Sequence, residues 1–149
     1  MSEALIYLTE RTSAQANENC LILPLSAKER AQLRGKRSTL NGIEVILNLP
    51  RGGGRLIPGE VLKSDDSLFY VTIEAAKEDL IKVSSDNRLK LLKAAYHLRN
   101  RHVEIELHER DIYLLNDVVM RKMLKRQGFE IEFSQGAFSP EIGAYEKNS

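Results

Sequence analysis

The sequence is poor in several kinds of residue, and each scarcity excludes a class of protein. Its 149 residues include one cysteine, Cys20, so no internal disulfide can form and a reducing, cytoplasmic location is expected. No apolar run approaches the roughly 18 residues that cross a bilayer, and Met1-Ser2-Glu3 does not begin a signal peptide. The net charge is only +1, which argues against nucleic-acid binding through bulk charge. We therefore expect neither a membrane nor a nucleic acid as partner.

The first half of the chain, residues 1–74, contains no histidine and has the pattern of a small all-β domain. Its glycine-rich loop, residues 50–55, does not fit a phosphate-binding loop, because neither Lys-Ser/Thr nor a helix pattern follows. No cluster of catalytic side chains is evident there, and we expect no enzymatic activity.

Three local signals in this half are more specific. Residues 21–23 form a short apolar strand that Pro24 is predicted to stop. Ser26 and Glu29 have the spacing of a capping box and predict one or two helical turns. Asn41-Gly42, which precedes an alternating apolar run, predicts a hairpin with a tight type I′ turn.

The second half, residues 75–149, follows the order β-α-β-β-α-β, which is that of the ferredoxin-like fold. The predicted strands are 80–83, 103–108, 112–115 and 129–133. One helix follows the capping side chains of residues 84–87, and another follows Asn116 or Asp117 and ends before Gly128. The predicted fold class is therefore α+β, with an all-β N-terminal domain and a ferredoxin-like C-terminal domain.

Both helices are predicted to turn an apolar face to the core. In the first helix one flank of that face comprises Leu89, Leu92 and Tyr96, and the other comprises Leu91, Ala95 and Leu98. In the second helix the stripe comprises Val119, Met120, Met123 and Leu124.

The three histidines of the chain are His97, His102 and His108. On a strand from 103 to 108, Val103, Ile105 and Leu107 would face the core, while His102, Glu104, Glu106 and His108 would face solvent or a partner. His102 and His108 would then lie about 20 Å apart and could not share one metal ion.

One protomer therefore supplies one good imidazole, at His102, which is too few for a closed metal site. In a two-fold dimer two copies of His102 could form an open site that suits nickel, copper or zinc. Taken alone, the residues favour an ordinary surface histidine at a strand start. His97 is interpreted as a structural residue near the helix end.

The segment from Leu92 to Val103 contains Ala-Tyr-His-Leu-Arg-Asn-Arg-His. It resembles the signature A-Y-H-L-G-N-R-H of the UreE-type urease accessory proteins. Two further segments fit that family: Leu49-Pro50-Arg51-Gly52 resembles a loop of its first domain, and Ala137–Tyr145 resembles its closing P-F-x-P-E-x-G-A-Y. The positions of Asp117 to Leu124 agree with the family's second helix, so the resemblance covers nearly the whole chain.

The resemblance implies a nickel metallochaperone that forms a homodimer through its second domain. His102 would be the interfacial Ni²⁺ ligand, and Zn²⁺ or Cu²⁺ could occupy the same site. The cargo would be delivered to the urease apoprotein together with the GTPase of the same accessory system. The first domain would resemble a peptide-binding domain of heat-shock co-chaperones.

Three departures from the family pattern carry expectations of their own. Arg99 stands where the family usually has glycine, so the helix is expected to end less sharply. Val118 stands where some members have histidine, which leaves an auxiliary site in doubt. The sequence ends without a histidine-rich tail, so a capacity of about one metal ion per dimer is expected.

Two other functions compete with nickel delivery. The first is a peptide- or protein-binding assembly factor of the urease maturation complex, in which metal binding is incidental. The second is an RNA-binding ferredoxin-like domain. That function requires aromatic residues on the sheet for base stacking, and the strand that follows His102 instead carries Glu104 and Glu106, which repel phosphate.

Overall fold

The computed structural model describes residues 5–13 and 20–142 of the chain. Strands dominate its mixed α/β structure, and its helices are few. The chain divides into two compact units, the first ending at Ala75 and the second running from Ala76 to Ile142. No helix in the described ranges is both long and apolar enough to cross a membrane.

The first unit is a six-stranded sheet with one short helix. Its elements are β1 Ile6–Thr12, β2 Leu21–Leu25, α1 Ala27–Arg30, β3 Arg34–Ser38, β4 Glu44–Asn48, β5 Val61–Ser64 and β6 Tyr70–Ala75. The strand order is β2-β6-β5-β1-β4-β3, with β1–β4 and β2–β6 parallel and the other neighbours antiparallel. Leu40 N–H donates to the Ile22 carbonyl across 2.8 Å, so the two ends of the sheet approach each other.

Most of the core of this unit consists of alternating strand side chains from the inner face of the sheet, because successive residues of a strand point to opposite faces. Leu49 and Leu56 join it from outside the strands. Its buried members are Leu8, Leu23, Leu25, Val45, Leu47, Leu49, Leu56, Leu62, Val71 and Ile73.

Of the three local predictions, the capping box is confirmed. The Glu29 N–H donates to Ser26 Oγ, and the Ser26 N–H donates to Glu29 Oε1, so α1 begins at Ala27. The predicted stop at Pro24 is wrong, because β2 continues to Leu25. β2 is the last strand of the sheet, and a proline without an N–H is tolerated on such an edge.

The predicted hairpin is confirmed by the antiparallel pairing of β3 and β4, but the prediction of a type I′ turn is wrong. Among the described non-glycine residues only Ser67 and His102 have positive φ, so Asn41 does not, whereas Gly42 has φ 84°. A longer loop therefore joins β3 to β4, closed by a hydrogen bond of 2.8 Å from Thr39 N–H to the Ile43 carbonyl.

The turn between β5 and β6 is held by side chains. The Ser64 hydroxyl donates to the Asp66 carboxylate across 2.6 Å, and the Leu68 N–H donates to the same carboxylate oxygen across 3.0 Å. These two bonds, that of Ser64 first, lower the pKa of Asp66 from its ordinary value of 3.8. The turn thereby fixes Ser67 at a φ of 60°.

The second unit has the element order strand-helix-strand-strand-helix-strand. The elements are β7 Glu78–Ser84, α2 Arg88–Asn100, β8 Glu106–Leu107, β9 Asp111–Leu115, α3 Val118–Arg126 and β10 Glu130–Gly136. The sheet order is β10-β7-β9-β8, and every pair is antiparallel. Asn87 caps α2 and Asp117 caps α3 through their side-chain oxygens.

The core of the second unit lies between these helices and one face of the sheet. Its buried members are Ile81, Val83, Leu91, Ala94, Leu98, Ile105, Ile112, Leu114, Leu124 and Phe129.

One predicted flank of the α2 apolar face is wrong. Leu89, Leu92 and Tyr96 are exposed, Leu92 to 67% and Tyr96 to 65%. On a helix of 3.6 residues per turn, the residues of α2 that enter the core are centred roughly 160° around the helix axis from these three exposed residues. A helix lying on a sheet buries only one side, and apolar residues cover more than half of the circumference of α2, so its sequence does not identify that side. In α3 the same error concerns Val119, which is 67% exposed.

Candidate metal-binding site

His102 lies immediately beyond the end of α2, in the left-handed conformation with φ 62°. Its N–H donates to the Arg99 carbonyl, and the next N–H, of Val103, donates to the Leu98 carbonyl, both across 3.0 Å. This pair of bonds is the Schellman motif, in which the left-handed position one beyond the C-cap is usually glycine. Arg101 is the C-cap, so His102 occupies the glycine position.

The residues around His102 fix its backbone while its side chain stays in solvent. Leu98 is fully buried, and Val103 packs against the same core, which supplies the apolar contact that accompanies a Schellman motif. The Arg99 guanidinium donates to the Val103 carbonyl across 3.2 Å. The His102 side chain is exposed, so the structure presents an accessible imidazole from an anchored Cα.

This geometry corrects two predictions. The helix was expected to end less sharply because of Arg99, but it ends in a complete Schellman motif. The strand predicted at 103–108 is reduced to β8, Glu106–Leu107. The predicted alternation holds for Val103 and Ile105, which face the core, and fails beyond them, since Leu107 is exposed and Glu106 is half-buried.

The other two histidines are engaged elsewhere. His97 is exposed on α2, with its ring edge-on to Tyr96 at a centroid distance of 5.4 Å. His108 pairs with the Glu106 carboxylate and lies edge-on to Tyr113 at 5.1 Å. In the described ranges no three His, Cys, Asp or Glu side chains converge on one point where they could hold a metal ion. A single chain therefore offers His102 as an isolated donor.

Glu106 has a structural role that the sequence pattern did not reveal. Its Oε1 accepts the Ser139 N–H across 2.7 Å. In return, Glu141 Oε1 accepts the Leu107 N–H across 3.1 Å, and the Glu141 N–H donates to the Ile105 carbonyl across 2.7 Å. These bonds hold the closing motif against β8. Its last three residues, 143–145, lie outside the described ranges. The partners are over thirty residues apart in sequence, so no local signal could have identified them.

The outer face of α2 carries an exposed apolar stripe of Leu89, Leu92 and Tyr96. These residues are spaced i, i+3 and i+7, so they line one side of the helix. The stripe runs toward the helix end that carries His102. Val118, which stands where some members of the resembled family have histidine, is the exposed first residue of α3.

Comparisons with known proteins agree with the motifs. A family model described as the C-terminal domain of the UreE urease accessory protein matches residues 78–149. The urease accessory protein UreE of Parasynechococcus marenigrum (strain WH8102) is 46% identical over 145 residues, which cover 97% of this chain and 96% of that protein.

Two further relatives match a shorter span. The urease accessory protein UreE of Prochlorococcus marinus (strain MIT 9215) is 50% identical over 126 residues, 84% of this chain and 83% of that protein. The one from Synechococcus sp. (strain CC9311) is 47% identical over 123 residues, 83% of this chain and 79% of that protein.

These relatives define the class as accessory proteins of urease rather than urease itself. Within that class, the extent of the identity shows that the chain belongs to the UreE family. The predicted resemblance is thereby confirmed.

Proposed function

We propose that this chain is a cytoplasmic nickel chaperone that binds Ni²⁺ between two copies of itself and delivers it to the urease apoprotein. His102 of each copy supplies one ligand. The observation that carries the proposal is the exposed imidazole on an anchored left-handed backbone. Neutral imidazole is a good ligand for nickel, copper and zinc, so the donor type alone does not select among these metals.

The isolation of His102 supports a shared site. One imidazole per chain holds a divalent ion weakly, whereas two copies related by a two-fold axis bring two imidazoles to one point. Such a site leaves coordination positions open for water or for a ligand from a receiving protein. An open site suits a cargo that must be released, while a closed four-ligand site suits a structural ion.

The apolar stripe of α2 supports a dimer through the second unit. Exposed apolar side chains at i, i+3 and i+7 are typical of a helix that packs against a partner. Because the stripe leads to His102, pairing of two stripes would bring the two imidazoles toward the same axis. The element order and the sheet order β10-β7-β9-β8 support the ferredoxin-like assignment for this unit.

The first unit is assigned to partner contacts, with the urease apoprotein and the accessory GTPase as partners. Leu68, at the tip of the β5–β6 turn, is 75% exposed. The side-chain hydrogen bonds of Ser64 and Asp66 hold the turn that presents it. This feature also favours the alternative function, a peptide- or protein-binding assembly factor for which metal is incidental.

Calorimetric titration of Ni²⁺ into the full chain tests the metal site. The wild type should bind about one ion per two chains, and His102→Ala should abolish this binding. His97→Ala and His108→Ala are matched controls, since both remove an exposed histidine from the same unit, and they should bind as the wild type does. Equal binding by His102→Ala and the wild type would refute the interfacial site.

Urease activation separates nickel delivery from the alternative. With limiting nickel, His102→Ala should fail to support urease activation. Leu68→Ser leaves His102 in place, so it should retain nickel binding. If activation survives His102→Ala and is lost in Leu68→Ser, metal binding is incidental and the assembly-factor function holds.

A further inference from the structure

The outer surface of α3 carries a concentration of positive charge that the packing of the fold uses only in part. The nine residues from Val118 to Arg126 include four cations and no acidic residue, in a chain whose net charge is only +1. The cations are Arg121, Lys122, Lys125 and Arg126. Arg121 stacks over the Phe133 ring at 4.9 Å, so it is part of the packing. Lys122 and Arg126 are exposed, and within the described ranges no carboxylate pairs with either.

Lys122 and Arg126 rim a groove of about 480 Å³ whose floor is apolar. The described residues that line it are Arg101, Val119, Lys122, Met123, Arg126 and Gln127. The four from α3 follow the spacing i, i+3, i+4 and i+7, which places them on one face of the helix. Arg101 approaches from the end of α2 and contacts Met123 Sδ through its guanidinium. Cations thus flank the apolar floor from two elements.

This arrangement opposes the stability of the isolated chain. Like charges four residues apart destabilise a helix by about 0.2–0.5 kcal/mol, and Lys122 and Arg126 have that spacing. Val119 leaves a branched apolar side chain in water at 67% exposure. An apolar floor with unpaired charge of one sign around it has the chemistry of a surface that a partner of opposite charge covers.

We propose that this groove, the α3 groove, binds an acidic polypeptide segment of a partner protein, with one apolar side chain of that segment seated on Val119 and Met123. The carboxylates of the segment would pair with Arg101, Lys122 and Arg126. Arg101 directly precedes His102, so the bound segment lies next to the metal ligand. In this respect the inference rests on the proposed function, because it places a docked partner where nickel is released.

Two other occupants are disfavoured, one by charge and one by the lack of aromatic side chains. A groove on the two-fold axis of a dimer would face its own copy, and two copies of this basic groove would repel each other. A single-stranded nucleic acid would pair with the cations, but such binding sites stack bases on aromatic side chains. None of the six described lining residues is aromatic.

The test uses the full chain without metal and a fluorescein-labelled peptide of Asp and Glu residues around a single Leu. Lys122→Glu should weaken binding of this peptide about tenfold or more, because an attractive contact becomes repulsive. Lys125→Glu is the matched control: it makes the same change on the same helix at a residue that does not line the groove. It should weaken binding clearly less than Lys122→Glu, because its charge does not line the groove and is partly screened by solvent.

The apolar floor is tested by a second matched pair. Val119→Ser should weaken binding several-fold, whereas Val118→Ser, an equivalent change at an exposed neighbour outside the groove, should leave it unchanged. The peptide with Ser in place of Leu should bind the wild type as weakly as the original peptide binds Val119→Ser. Added salt should weaken all binding, since the pairs are exposed.

Four results would overturn the inference. Equal weakening by Lys122→Glu and Lys125→Glu would mean that only the overall charge of α3 matters. Equal binding of the Leu and Ser peptides would remove the apolar contact. Tighter binding of labelled oligothymidylate than of the acidic peptide, lost in Lys122→Glu, would reassign the groove to nucleic acid. Dissociation of a dimer by Val119→Ser, measured by light scattering, would reassign it to self-association.

The outcome is distinguishable from that of the proposed function, because peptide binding is measured without metal. If the wild type binds the peptide but not nickel, the nickel site is refuted and the α3 groove stands. Intact nickel binding without peptide binding would do the reverse.

Discussion

His102 and Gly128 occupy the same position at the ends of the two helices of the second unit. Each follows the C-cap residue, each has positive φ, 62° and 89° respectively, and each donates its N–H three residues back. The following residues, Val103 and Phe129, complete the Schellman pattern by donating to Leu98 and Leu124. At α3 the position is filled by glycine, the residue with the lowest cost there. At α2 it is filled by the candidate metal ligand.

The first prediction is that His102→Gly stabilises the protein. A left-handed non-glycine residue costs about 1–2 kcal/mol, so the free energy of unfolding should rise by about 1 kcal/mol while nickel binding is lost. His97→Gly makes the same substitution inside α2, where it should lower the free energy of unfolding by roughly 0.3 kcal/mol, the difference in helix propensity between histidine and glycine. Urea unfolding monitored by circular dichroism measures both. Destabilisation by both variants would contradict a cost at position 102.

The second prediction concerns Gly128→Ala, which should lower the free energy of unfolding by about 1 kcal/mol or more because φ is unfavourable for a residue with a Cβ. The added Cβ would also meet Lys90 Nζ at 2.8 Å, but that flexible side-chain end can move away. Gly136→Ala is the control, since no atom lies within 4 Å of its Cβ position and its φ is not in the positive range. Urea unfolding should show it nearly unchanged, and equal effects at both sites would argue against the conformational cause.

The third prediction tests the α2 stripe as the dimer contact. Leu92→Ser should shift the chain from dimer to monomer in analytical ultracentrifugation, because burial of a leucine side chain contributes about 1.5–3 kcal/mol. Leu40→Ser is the matched control, because both leucines are 67% exposed and Leu40 lies in the first unit. A dimer that persists in Leu92→Ser, or dissociates equally in Leu40→Ser, would exclude the stripe from the contact.

The fourth prediction is a pH dependence that originates at Asp66. The pKa of its carboxyl is lower in the folded chain than its ordinary value of 3.8, chiefly through the Ser64 hydroxyl. A lowered folded pKa means that the ionised carboxylate stabilises the fold, and this contribution is complete above the unfolded pKa. This stabilisation is lost as the pH falls from the ordinary pKa of 3.8 through the lower pKa of the folded chain.

Asp66→Asn should therefore be less stable than the wild type at neutral pH, and the difference should disappear in that acid range. Urea unfolding of both proteins across the range measures it. A difference that stays constant with pH would mean that the charge of Asp66 does not contribute.

Local chemistry allowed much of the element order to be predicted. Ser26 with Glu29, the side chains of Asn87 and Asp117, and Gly128 at the end of α3 act over three or four residues, so their structural meaning is contained in short segments. The candidate ligand His102 was also identified from its segment. The predicted reason for its exposure, its place on a strand, was wrong, because the exposure arises from the end of a helix.

The sequence by itself determined where the three helices begin and where α3 ends, because caps depend on neighbours in the chain. The tertiary structure decided which side of α2 is buried, since contact with the sheet selects Leu91, Ala94 and Leu98 and leaves Leu92 and Tyr96 in solvent. It also decided that Glu106 binds the closing segment, through partners over thirty residues away. It gave His102 its left-handed backbone, because packing of Leu98 and Val103 fixes the turn that places the imidazole in solvent.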